Sequence, residues 1–248
     1  SSFPTPFPRF FSHPCQSVLS VVKTPPSSPP SVVFPRQVPY IVTTEACERF
    51  SFYGMLSILT LYLRDELRME ESGAKSLVHL FKMAVYFLPL AGAWIADRWW
   101  GRYRTILSLA VFYCLGHGTL ALFEGTRSGM YAGLALIALG AGGIKPCVSA
   151  FVGDQFTAAQ AGLLPKVYGM FYWSINLGAM FAFALIPLVR DRWGFGWAFG
   201  IPGLFMGLAT LVFWLGSSRY VKLPPSAADP HAAVSAEAPT DSTSRSRS

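Results

Sequence analysis

The chain has 248 residues, 52% of them hydrophobic and 13% charged, a balance too apolar for an ordinary soluble domain and one that points to lipid as the solvent. Lys and Arg number 20 against 13 Asp and Glu, a formal net charge of +7, but the excess is scattered over loops and tails, which argues against a nucleic-acid-binding block. Cys15, Cys47, Cys114 and Cys147 lie too far apart for a zinc or redox motif, and no metal, prosthetic group or covalent chemistry is expected.

Residues 1–37 are rich in Ser and Pro, and through Thr44 the chain carries Arg9, Lys23 and Arg36 but no acid. This composition reads as a disordered tail, with a targeting segment as the alternative. A bilayer core of roughly 30 Å needs about 20 apolar residues of helix. Six segments meet that requirement within residues 38–217: Val38 to Leu63, Ser76 to Ala96, Thr105 to Phe123, Met130 to Phe151, Val167 to Val189 and Phe195 to Gly216. The expected fold class is therefore an all-α membrane protein, a six-transmembrane-helix bundle. The stretch Asp97 to Arg104 carries three cations against one anion and is expected in the cytosol with both termini, because positive flanks stay inside. Residues 218–248 are polar, lack apolar periodicity and are expected to be a second disordered tail. The membrane concerned, plasma or internal, is left open by these features.

The first span holds Glu45, Glu48 and Arg49 in an otherwise apolar helix, and each ion near a bilayer centre costs about 2.5–3.5 kcal/mol on insertion scales. Helical spacing puts all three with Phe52, Tyr53 and Leu56 on or near one face, which must look into the bundle. Glu45 and Arg49 have the spacing of an intrahelical ion pair, leaving Glu48 to find a cation elsewhere. Lys145 in the fourth span, at similar depth and beside Pro146, where a bent or opened helix is expected, is the predicted partner. Two roles stay open for this network: an architectural clamp between helices, or carboxylates that exchange protons as their exposure changes. His79, in the second span with Lys82 and Tyr86, should lie near the external mouth, where a histidine suits proton access or simple packing.

The motifs Glu45-Ala-Cys-Glu48-Arg49-Phe50, Gly92 through Arg98 to Ile106, Gly142-Gly143-Ile144-Lys145-Pro146, and Phe171-Tyr172-Trp173-Ser174-Ile175-Asn176-Leu177-Gly178 resemble those of the proton-dependent oligopeptide transporter family of the major facilitator superfamily. The resemblance covers about residues 40 to 216 and implies the N-terminal half of a major-facilitator-type fold, working in proton-coupled symport of di- and tripeptides. It implies proton-coupling roles for Glu45, Glu48, Arg49 and His79, a peptide site lined by Tyr53, Tyr86, Lys145 and Asn176, and a cytosolic latch at Asp97 and Arg98. The implied partners are short peptides, protons as the coupling ion, the lipid bilayer, and a second six-helix half or a further copy of the chain. Phe52 and Leu56 depart from the family pattern, which has a tyrosine and often a cation at those places. A non-transporting scaffold and a carrier of nitrate or another small anion are the alternatives.

Overall fold

A computed structural model describes residues 34–225; the predicted tails fall largely outside them. Every regular element in this range is helical: α1 (Val38–Leu61), α2 (Glu71–Ile95), α3 (Arg102–Leu122), α4 (Arg127–Gly153) and α5 (Leu164–Leu215). Short π-helical turns at Tyr62–Glu66 and Ala96–Trp100 prolong α1 and α2. Four of the helical stretches are long and apolar enough to cross a membrane. The 24-residue α1 is long enough, but Glu45, Glu48 and Arg49 near its middle lower its hydropathy. α4 begins at an N-cap whose Thr126 side chain accepts from the Gly129 N–H, and it runs unbroken through Pro146 where the sequence suggested an opening.

Six separate helices are not seen, because the fifth and sixth predicted spans form one 52-residue element, α5. Gly194 interrupts it with φ 86° and ψ 179°, a conformation that only glycine adopts without strain. At that residue α5 turns back on itself. A Cβ added at Gly54 would lie 2.9 Å from Ile186 and 3.2 Å from Pro202, two residues that would be about 24 Å apart on a straight helix. Both arms thus lie against α1, and Phe50 shows the same thing: its ring is 4.1 Å from that of Phe205, while its N–H is close to Gly178. The local signal for the turn, Arg190, Asp191 and Arg192 ahead of Gly194, separates the arms without ending the helix.

Two close crossings fix the rest of the bundle. A Cβ on Gly92 of α2 would lie 2.5 Å from the Cα of Gly143 on α4, so the backbones touch, as small residues permit in lipid. Gly178 meets α1 in the same way, its missing Cβ directed 2.6 Å from the Ala46 carbonyl oxygen. Beyond α5, residues composition assigns to the tail pack on the bundle: Tyr220 is buried among Phe151, Phe213 and Tyr103. Gln155 holds the segment that follows, accepting from the Val221 N–H at 2.9 Å and donating to the Val221 carbonyl at 3.1 Å.

Candidate functional site

Glu45, Glu48 and Arg49 are all buried, at 6%, 2% and 7% exposure, because the first arm of α5 closes over α1 at Gly178. Arg49 joins both acids: its Nε is 2.9 Å from Glu45 and its Nη2 is 2.5 Å from Glu48. Neither Glu48 oxygen nor the Arg49 Nε is aligned for a hydrogen bond. The trio is held by charge and proximity more than by directed bonds, and a poorly aligned buried carboxylate is one that can change its protonation state without breaking a strong bond.

The expected Glu48–Lys145 ion pair is not formed. Lys145 lies close enough to act electrostatically on both carboxylates and on Arg49, but its ammonium sits over aromatic faces, 4.5 Å from the Phe52 ring and 5.5 Å from the Tyr86 ring. Arg49, one residue along the same helix, reaches Glu48 first and repels a second cation. Phe52, the position where the resemblance led one to expect a phenol, therefore supplies a cation–π contact instead of a hydrogen bond. The tight α2–α4 crossing at Gly92 and Gly143 positions this lysine, two residues further along α4.

The other predicted site residues are more dispersed. Tyr53 is half-buried between Phe52 and Phe183. Tyr86 is 76% exposed and joins the cluster through Lys145 alone. Asn176 is exposed and donates to the Tyr172 carbonyl of its own helix at 2.7 Å, apart from the charges. His79 is exposed on α2, away from the buried acids. At the far end of α2, Asp97 is 3.7 Å from Arg102, which binds Asp154 at 2.5 Å; Arg98 is exposed and makes no ion pair among the described residues. Arg102, Asp154 and Gln155 tie α3, α4 and the segment after α5 together, and sequence motifs alone gave them no role.

Sequence reasoning also passed over Ser51, Tyr113 and His117. All three are fully buried at 0% exposure, and Ser51 Oγ lies 2.8 Å from His117 Nε2. The available signal was the one-turn spacing of Tyr113 and His117 in an apolar span, since an ionisable residue within the membrane is a functional candidate by default.

The family model described as the POT family matches residues 103–246. Peptide transporter family 1 of Drosophila melanogaster is 42% identical over 210 residues, covering 79% of this chain and 28% of the relative. Solute carrier family 15 member 2 of Homo sapiens is 41% identical over 233 residues, covering 84% and 32%. Among solved structures, the in meso crystal structure of the POT family transporter PepTSo superposes with a TM-score of 0.76 at 52% identity, over 80% of this chain and 41% of that one. A POT family transporter in complex with 5-aminolevulinic acid gives a TM-score of 0.73 at 27% identity, over 77% and 41%. The chain spans about a third or less of the length of these two curated relatives.

Proposed function

The chain belongs to the POT family, integral membrane transporters and not enzymes, and on that premise we propose that it forms the N-terminal six-helix half of a proton-coupled symporter for short peptides. The six spans are α1 to α4 and the two arms of α5, with Asp97 to Arg104 in the cytosol and Asp97 and Arg98 in the latch there. A second six-helix half, in the same polypeptide, another chain or a further copy, supplies the counterpart against which this half rocks.

The observation that carries the reading is the buried cluster of two glutamates sharing one arginine beside a lysine. With all four groups ionised its net charge is zero. A proton on Glu48 leaves one positive charge in surplus, which the carboxylate of a peptide can neutralise at Lys145, beside the open face of Tyr86. Proton and peptide are then each easier to bind in the presence of the other, which is the reciprocity that symport requires. Tyr53 and Asn176 line the remaining peptide site, and His79 gives protons access from outside.

The test is uptake of a labelled dipeptide by proteoliposomes carrying this chain joined to a compatible second half. Glu48→Gln keeps shape and polarity but no titratable proton, so proton-driven accumulation should collapse while exchange across equilibrated membranes survives. A normally expressed Glu48→Gln protein that still accumulates peptide would make the charge at Glu48 architectural and refute its coupling role, whereas a parent protein that takes up no peptide would return the chain to a scaffold role. Uptake of nitrate in place of the dipeptide would change the cargo and keep the fold.

A further inference from the structure

The segment after α5 does more than close the bundle. Tyr220 is its buried anchor, and the Gln155 amide grips the Val221 peptide group through both its N–H and its carbonyl, so the residues that follow have a defined course. They run over the turn between α2 and α3, where Gly101 has φ 73° and a Cβ added to it would lie 3.2 Å from the Leu223 carbonyl oxygen. Between turn and segment is a cavity of about 340 Å³ lined by Trp99, Trp100, Tyr103, Arg104, Lys222 and Leu223.

The charge of this cavity is one-sided. The Lys222 ammonium lies 4.3 Å from the centre of the Tyr103 ring and donates to Ser217 Oγ at 2.7 Å; both partners are neutral and leave its charge unbalanced. Arg104 is exposed and makes neither a hydrogen bond nor an ion pair among the described residues. The neighbouring acids are already engaged, Asp97 at 3.7 Å and Asp154 at 2.5 Å from the same Arg102. Two cations in one concavity without a carboxylate suit an oxyanion, and the planar fork of an arginine matches the paired oxygens of a phosphate.

The surroundings select the kind of phosphate. α2 with its π-helical turn, and α3 after it, are each long and apolar enough to cross a membrane, so the turn at Gly101 that joins them lies at the membrane surface. Trp94, Trp99 and Trp100 are 57%, 58% and 48% exposed there, and Trp94 meets Trp99 edge to face at 4.6 Å. Exposed indoles at that level match the headgroup region, where an apolar ring with one polar edge is at home. A free phosphate has no use for this aromatic rim, whereas a phospholipid carries glycerol and acyl chains that do.

We propose that this cavity binds the phosphate of an anionic membrane lipid, held by Arg104 and Lys222, with Trp99 and Trp100 beside its glycerol. The inference uses only the membrane embedding of α2 and α3 and is independent of the coupling role of Glu48. Basic pockets beside transmembrane helix ends are suited to such headgroups. A headgroup with a cation of its own would set that cation beside Arg104 and Lys222, which is why the lipid is anionic and not zwitterionic. Arg104 belongs to the first turn of α3 and Lys222 to the segment after α5, so one lipid bridges the two and clamps that segment over the turn.

The experiment is native mass spectrometry of the 248-residue chain released from detergent micelles. It is titrated with phosphatidylglycerol, whose only charge is the phosphate, and with phosphatidylcholine, which adds a cation. One phosphatidylglycerol should bind saturably to each chain, and more tightly than phosphatidylcholine. Arg104→Gln and Lys222→Gln, both at exposed positions, should each weaken it by roughly fivefold, the factor for one basic residue near an anionic surface. Lys166→Gln, which removes an exposed cation outside the cavity, should have a clearly smaller effect. Gln155→Leu keeps both cations but releases Val221 and should also weaken binding; the two surface variants keep the test open if it destabilises the bundle. Equal losses in Lys166→Gln and Arg104→Gln would reduce the site to diffuse surface charge and overturn it, as would unchanged binding in Lys222→Gln. Equal affinity for phosphatidylcholine overturns the preference for an anionic lipid, and displacement of the lipid by millimolar inorganic phosphate overturns the lipid as ligand.

Discussion

Arg49→Met tests whether the buried cluster is organised as its geometry implies. Arg49 is the cation within ion-pair distance of both Glu45 and Glu48, and all three are less than a tenth exposed, so methionine keeps much of the volume but strands two carboxylates. Breaking one buried pair costs about 3–5 kcal/mol. The loss should fall in that range and not at twice its value, because stranded carboxylates take up protons sooner than remain charged in a low-dielectric site. Glu48→Gln placed in the Arg49→Met background removes one stranded charge and should recover a coupling energy of about 2 kcal/mol, within the span found for residues in one network. Unfolding in detergent can be followed by labelling of the buried Cys47 and Cys147 thiols, 8% and 2% exposed. A loss below about 1 kcal/mol, the value of an exposed salt bridge, or strict additivity of the two substitutions, would refute the cluster as drawn.

At the α2–α4 crossing, Gly92→Ala places a methyl 2.5 Å from the Gly143 Cα, so the helices must part by about 1 Å at an expected cost of about 1–3 kcal/mol. Faster labelling of Cys147, whose Sγ lies 3.6 Å from the Gly92 carbonyl oxygen, reads that parting, and an unchanged rate counts against the crossing. Gly194→Ala, at φ 86°, should lower thermal stability by about 1–3 kcal/mol. Gly169→Ala, in the same helix with open space around it, should instead raise stability by about 0.4–1 kcal/mol; equal effects would remove the turn at Gly194. For topology, cysteines at exposed Ser72 and Arg104 should be labelled from outside and inside respectively. Modification of Arg104→Cys by an impermeant external reagent in intact cells would invert the orientation.

Much of the architecture was legible because membrane spans are written locally. The second, third and fourth apolar stretches coincide with helices to within a few residues, differing mainly where polar ends such as Glu71 to Lys75 or Arg127 to Gly129 extend them, while the fifth and sixth fall within the single helix α5. α1 was recognisable in spite of its charges because Glu45, Glu48 and Arg49 share one helical face. The break between the last two spans was less legible. Gly194 reverses the chain in one residue, and a single glycine among many carries no distinctive signal.

What the sequence by itself determined is the helical, lipid-embedded class of the protein, its family, and the inward-facing triplet on α1, since each depends on composition or on spacings of three and four residues along one helix. Only the tertiary structure decided which cation meets which acid. Arg49 takes both glutamates, and Lys145 turns to Phe52 and Tyr86 because a nearer cation already occupies Glu48. The meeting of Ser51 with His117, 66 positions apart in the chain, was likewise invisible to any periodicity, because it depends on how the bundle brings α1 and α3 together and not on spacing along either helix.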